Sequence, residues 1–198
     1  MKSLLLVPVV ITAISLVNTA NAATNGTVNF SGKLNDQTCQ VALNNSGSAS
    51  GTVELPTVPK EKLATVWSTA GKTAFSLKLT GCKASSTAFG VLAYFPPTAY
   101  TISAGTIGKY GYLKNLETGP TAAEGVNLKI VQVFGTVEKE IFLGKPITSD
   151  SYQYTTVAAG ATSATLSYYT QYVNWSSTGA AVKAGKVKGM AVYELAYQ

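Results

Sequence analysis

The sequence predicts an all-β chain folded as an immunoglobulin-like β-sandwich, and three observations carry that reading. Apolar and polar residues alternate over short stretches, so each stretch presents one face to a core. Segments rich in Gly, Ser and Thr separate these stretches, and no long amphipathic helix interrupts them. One pair of cysteines, Cys39 and Cys82, spans a long loop between two of the stretches, as in small exported sandwiches.

The strands follow in order along the chain. Residues 27–34 (TVNFSGKL) place Val28, Phe30 and Leu34 on one face. Residues 73–79 (TAFSLKL) alternate Phe75, Leu77 and Leu79 before Gly81-Cys82. Residues 89–95 form a fuller apolar run that stops at Pro96-Pro97. Residues 126–134 (VNLKIVQVF) and 137–143 flank Gly135-Thr136, the signature of a two-residue hairpin. Residues 165–175 and 186–197 complete the series, and residues 60–66 suit a turn or two of helix. There is no internal repeat and no linker-like shift of composition, so one mature domain is predicted.

Composition narrows the function classes. The 198 residues are 46% hydrophobic and only 12% charged, with a net charge of +6. Histidine is absent and all fifteen cations are lysine. That excludes Ser-His-Asp and Cys-His triads, histidine metal sites and bidentate arginine clamps. No enzyme activity, cofactor or metal is expected.

Residues 1–22 read as an export signal. A short positive start at Lys2 precedes an apolar run over 4–17, and Ala20-Asn21-Ala22 gives the small-x-small cleavage pattern. The run is shorter than the roughly 20 residues that span a bilayer. Export to an oxidising compartment predicts that Cys39 and Cys82 pair, because no third thiol competes. Their spacing is far from the C-x-x-C of redox pairs. Closing so long a loop is worth about 4 kcal/mol in the chain-entropy model.

The two ends of the mature chain carry the most specific signal. The start, Gly26 to Leu34, is a strand-like extension followed shortly by Cys39. The chain ends Val192-Tyr193-Glu194-Leu195-Ala196-Tyr197-Gln198, with a penultimate tyrosine, and Gly185 is the fourteenth residue from the end. With the signal peptide and the cysteine spacing, the whole mature chain resembles pilus (fimbrial) subunits of the chaperone–usher pathway, most of all shaft pilins of the type 1-like family.

That resemblance implies a sandwich lacking its last strand, whose groove is filled by the N-terminal extension of the next subunit. It implies three segments: the signal peptide 1–22, a donor extension 23–35 and a pilin domain 36–198. The donor face would be Val28, Phe30, Gly32 and Leu34. Burying its Val, Phe and Leu side chains would contribute about 5–9 kcal/mol before backbone pairing. Only Ala23, Thr24 and Asn25 precede Gly26, a shorter lead than many shaft subunits have. The C-terminal strand, with Gly185, Tyr193, Leu195 and Tyr197, would be the chaperone-docking element. Expected partners are neighbouring subunits in a homopolymer, a periplasmic chaperone, an outer-membrane usher, and host receptors reached through the assembled fibre. Nucleic acid is not among them. The expected location is the cell surface, reached through the periplasm.

The residues leave alternatives. Residues 27–34 also fit the first strand of a complete sandwich, because either arrangement buries one face. A minor adaptor subunit of the same pilus is a second reading. A self-contained secreted sandwich that binds carbohydrate through Tyr168, Tyr169, Tyr172 and Trp175 is a third. Glu138 and Glu140, two apart on one strand, form the only close carboxylate pair and read as a solvated hairpin. Lys183, Lys186 and Lys188 read as a solvated edge, and the Asn-x-Ser/Thr patterns at Asn25, Asn44 and Asn174 as coincidence.

Overall fold

In the computed structural model, which describes residues 29, 34, 36–96, 108, 110–176 and 181–198, alternation becomes two sheets facing each other across one core. The described strands are β1 (Gln40–Leu43), β2 (Thr69–Thr80), β3 (Phe89–Tyr94), β4 (Leu113–Lys114), β5 (Val126–Phe134), β6 (Val137–Ile141), β7 (Thr155–Val157), β8 (Ala164–Asn174) and β9 (Glu194–Tyr197). The larger sheet runs β1-β2-β8-β5-β4, with β6 paired to the other half of the β5 edge, and the smaller runs β7-β3-β9. Every strand pairing is antiparallel. Residues Asn35–Gln198 form one compact unit.

The centre of the larger sheet is the long β2–β8 pair, in register from Thr69↔Val173 to Leu79↔Ala164. A register shift between Ala70 and Thr73 sits at Gly71, which takes φ +71°. A β-carbon there would stand 2.8 Å from the Tyr172 ring, so the bulge needs glycine on both counts. Between β5 and β6 Gly135 takes φ +57° and pairs Phe134 with Val137 across a two-residue turn.

The inward faces interdigitate as one cluster. Leu77 and Leu79 of β2, Ile130 of β5 and Leu166 and Tyr168 of β8 meet Val91, Leu92 and Ala93 of β3. Phe75 stacks on Tyr168 at 5.3 Å, and Phe95 meets the same ring edge-on at 6.5 Å. The buried Asn174 is bonded on both sides of its carboxamide: it donates to the Leu63 carbonyl at 2.7 Å and accepts from the Ser176 N–H at 2.9 Å. That carboxamide is thus occupied and its residue buried, so Asn174 is no acceptor for a glycan.

The sequence expectations for 73–79, 89–95, 126–134 and 165–175 correspond to β2, β3, β5 and β8 with shifted ends, and the helical turn is a 3-10 turn at Lys60–Leu63. One expectation is corrected. Residues 186–197 are not one strand; only Glu194–Tyr197 pairs, along β3. Strands β1, β4 and β7 carry no alternation long enough to read. The signal peptide and most of the 27–34 stretch lie outside the described residues.

Buried tyrosines make the fold sensitive to alkali. Burial pushes the Tyr152 hydroxyl up to about 12. Burial, with the Glu138 carboxylate beside it, does the same to Tyr169. A tyrosine raised in the folded state contributes stability that is whole below the ordinary value near 10 and lost as pH rises towards 12. Phenolate absorbance should therefore show a step near pH 12 that coincides with loss of the strand circular-dichroism signal.

Candidate functional site

A seam runs between one edge of each sheet. Strand β1 has only β2 as a neighbour and β9 only β3, so among the described residues each sheet ends on an unpaired edge here. Burial follows the same line: β3 and the middle of β8 are almost wholly buried, whereas no residue of β1 or β9 is. Val41, Leu43, Tyr193, Leu195 and Tyr197 are apolar, half-buried and packed on the margin of the core. Between these edges lies a cleft of about 290 Å³, walled by Val41, Ala49 and Ser50 on one side and Ala191, Tyr193 and Leu195 on the other.

Two tyrosines tie the walls together across the seam. The Tyr197 hydroxyl accepts the Cys39 N–H at 3.1 Å, and the Tyr193 hydroxyl donates to the Ala49 carbonyl at 2.8 Å. Tyr197 also lies 6.3 Å from the Phe89 ring. Cys39 is bonded to Cys82, and the Lys83 N–H donates to the Thr38 carbonyl at 3.1 Å. An ion pair from Lys83 to Asp36 adds a further tie on the same segment. The disulfide therefore fixes the start of β1 against the end of β2, beside the cleft.

The sequence-predicted residues divide as follows. Val28, Phe30 and Gly32 lie outside the described residues, while Leu34 is described and wholly exposed. Tyr193, Leu195 and Tyr197 share the half-buried face beside the cleft, with Tyr193 one residue ahead of β9. Gly185 stands apart from them. It passes over the backbone of Thr121, Ala122 and Ala123, where a β-carbon would be 2.5 Å from the Ala122 carbonyl carbon. Main-chain bonds from Lys186 N–H to Thr121 at 2.7 Å and from Ala123 N–H to Lys186 at 2.9 Å hold that crossing.

Sequence reasoning missed the residue that secures this crossing. The Asn115 amide donates to the carbonyls of Ala123 and Lys186, both at 2.9 Å. Its carbonyl accepts the N–H groups of Glu117 at 3.0 Å and Lys188 at 2.9 Å. One side chain thus joins three segments, and nothing in its local sequence singles it out.

The other candidates are accounted for structurally. Glu138 takes Lys72 at 2.5 Å and the Tyr169 hydroxyl at 2.7 Å, and Glu140 takes Tyr112 at 2.5 Å and Lys129 at 3.0 Å. The Lys72 hydrogen bond, with Tyr169, holds the Glu138 carboxyl below its usual range, opposite to what a general acid needs. Lys183 pairs with Glu124 at 2.7 Å. Tyr168 and Tyr172 face the core, whereas Trp175 joins Trp67, Tyr110 and Tyr112 in a surface cluster. Trp67 holds that place at φ +69°, in the left-handed region, which costs about 1–2 kcal/mol for a residue with a β-carbon.

Residues 55–198 match the family model FimA, described as type-1 fimbrial protein, A. The chain is 34% identical over 178 residues to the major fimbrial subunit SMF-1 of Stenotrophomonas maltophilia (strain K279a), covering 90% of this chain and 95% of the relative. It is 36% identical over 183 residues to the F17 fimbrial protein of Escherichia coli, covering 91% and 92%. Among solved structures it resembles a chain of a chaperone–usher pilus described in connection with rod uncoiling, at a TM-score of 0.52 and 19% identity, over 89% of this chain and 98% of that one. That likeness concerns the fold.

Two substitutions test the crossing at Gly185 and the tie at Tyr197. Gly185→Ala should lower stability by about 1–3 kcal/mol through overpacking, read as a lower urea midpoint with an unchanged slope. Tyr197→Phe, which removes the bond from Cys39, should cost about 1 kcal/mol by the same measurement.

Proposed function

The chain belongs to the FimA family of type-1 fimbrial proteins, and from that premise we propose that it enters its fibre by donating one strand and accepting another. It is a structural subunit of a surface fimbria and forms a fibre with other subunits. In the proposed mechanism the donor is the extension 23–35, through Val28, Phe30, Gly32 and Leu34, and the acceptor is the cleft between β1 and β9 of the next copy. The observation that carries this reading is the coincidence of two unpaired strand edges with a stripe of half-buried apolar residues.

An inserted strand meets both needs of that seam. Its backbone can pair along a free edge, each ladder bond contributing about 0.5–1.5 kcal/mol. Its alternate apolar side chains can cover Val41, Tyr193 and Leu195, while the intervening Asn29, Ser31 and Lys33 face out. The full exposure of Leu34 is what a donor residue waiting for a groove requires.

Before polymerisation the same seam would make a free subunit prone to pair edge-to-edge. A periplasmic chaperone that lends a strand, and holds the C-terminal segment with Gly185, Tyr193, Leu195 and Tyr197, is the proposed protector. An outer-membrane usher is the proposed site of exchange. The signal 1–22 would route the chain there, leaving 36–198 as the pilin domain.

The decisive measurement is thermal unfolding of residues 35–198, alone and with a synthetic peptide of residues 23–34. A midpoint raised by tens of degrees is expected, and a high midpoint indifferent to the peptide would mean that the sandwich is already complete. In the full-length chain Phe30→Asp should stop fibre growth while leaving the strand content of the subunit unchanged, read by electron microscopy and circular dichroism.

A further inference from the structure

On the outer face of the larger sheet, away from the seam, lies a second cleft of about 450 Å³ with Trp175 as one wall and Lys114, Asn115 and Asn127 among its lining. Lys114 and Asn127 are direct cross-strand partners on β4 and β5, so their side chains share that face. Asn127 pairs with Val173 on its other side, which puts Trp175, two residues further on, on the same face.

Asn127 is the informative residue. It is 7% exposed as a residue, and what remains exposed of it lines the cleft. Here the amide lines an open cleft, and glycine at 108 leaves it uncovered: a β-carbon there would stand 3.3 Å from Asn127 Nδ2. The Asn115 amide beside it is fully used within the fold, so Asn127 is the side-chain amide with bonds to offer.

The aromatic wall extends beyond Trp175. Trp67 lies 5.2 Å from it and Tyr110 4.2 Å, and these two rings are 48% and 41% exposed. Lys114, Lys186 and Lys188 are exposed and, among the described residues, in no ion pair. The Lys186 carbonyl is bonded by Asn115 and Ala123, both lining the cleft, which places it at the rim. Against these cations stand Glu117 and Glu124, the latter held by Lys183.

We propose that this cleft binds an acidic sugar ring, a pyranoside carrying a carboxylate. An aromatic face stacks on the C–H face of a pyranose, a primary amide both donates to and accepts from neighbouring hydroxyls, and unpaired lysines favour a carboxylate. An extended peptide, by contrast, would seek the free edges at the seam. The site is distinct from the assembly cleft and stands whether or not the chain polymerises by strand exchange.

The chain reports on this site by itself, because its only two tryptophans are Trp67 and Trp175. Intrinsic fluorescence of the full chain, with its sedimentation recorded first, is titrated with sialyllactose, methyl glucuronide and lactose. A saturable change is expected with both acidic probes, and about twofold to fivefold weaker binding of lactose, the ratio an exposed ion pair supplies. Lys114→Gln, at an exposed position, should erase that preference and keep the lactose affinity. Asn127→Ala should weaken all three probes by about threefold to tenfold, with the fold checked by circular dichroism. The proposal is overturned if no probe gives saturation, or if neither variant changes binding. It is equally overturned if Trp67→Ala changes only the sedimentation, which would make the aromatic face a contact between copies.

Discussion

Every backbone N–H and C=O that leaves water must find a partner, and this constraint explains how the sandwich is laid out. At one side of the sandwich β1 and β9 each stop with one neighbour, β2 and β3. Leu77, Leu79, Val91, Leu92, Ile130 and Leu166 form a fully buried core beside those edges. There the apolar residues are half-covered. The protein carries the hydrogen-bonding and hydrophobic demand of a missing strand as a permanent feature, and the proposed partner is a strand from another copy.

An open seam is useful only if its walls keep their spacing, and several distant contacts serve that end. The Cys39–Cys82 bond and the Tyr197 hydroxyl hold the start of β1. Tyr193 anchors the turn-rich segment near Ala49. Asn115 and the side-chain-free crossing at Gly185 fasten the approach to β9 over the larger sheet. None of these groups does chemistry. Together they turn what would be a loose edge into a cleft of defined width.

Much of this was legible in the sequence, and the rest was not for physical reasons. Long amphipathic strands such as 126–134 and 165–175 declare themselves because one face is wet and the other dry. Two cysteines in an exported chain pair by default. Short strands such as β1 and β7 leave too few residues for a period to register, so one wall of the cleft was invisible. The 186–197 stretch misled in the opposite way. Its alternation at Ala191, Tyr193, Leu195 and Tyr197 does follow burial, but side-chain burial does not require a ladder, and only β9 has a strand to pair with. Asn115 and Asn127 look alike as letters; that one is spent on four bonds within the fold and the other lines a cleft is purely a matter of three-dimensional neighbours.

In the proposed fibre, joined by strand exchange through N-terminal segments, the disulfide would have a mechanical meaning. Tension in such a fibre enters each subunit where the chain leaves residue 34 and meets the body. Were β1 the first element to carry load, its four residues, paired only to β2, would peel away one hydrogen bond at a time. Instead the load would meet the Asp36–Lys83 contact and then the covalent bridge at Cys39, which would hand it to the end of the twelve-residue β2, itself pinned along β8. The weak edge strand would be bypassed, and force would be spread over the β2–β8 ladder.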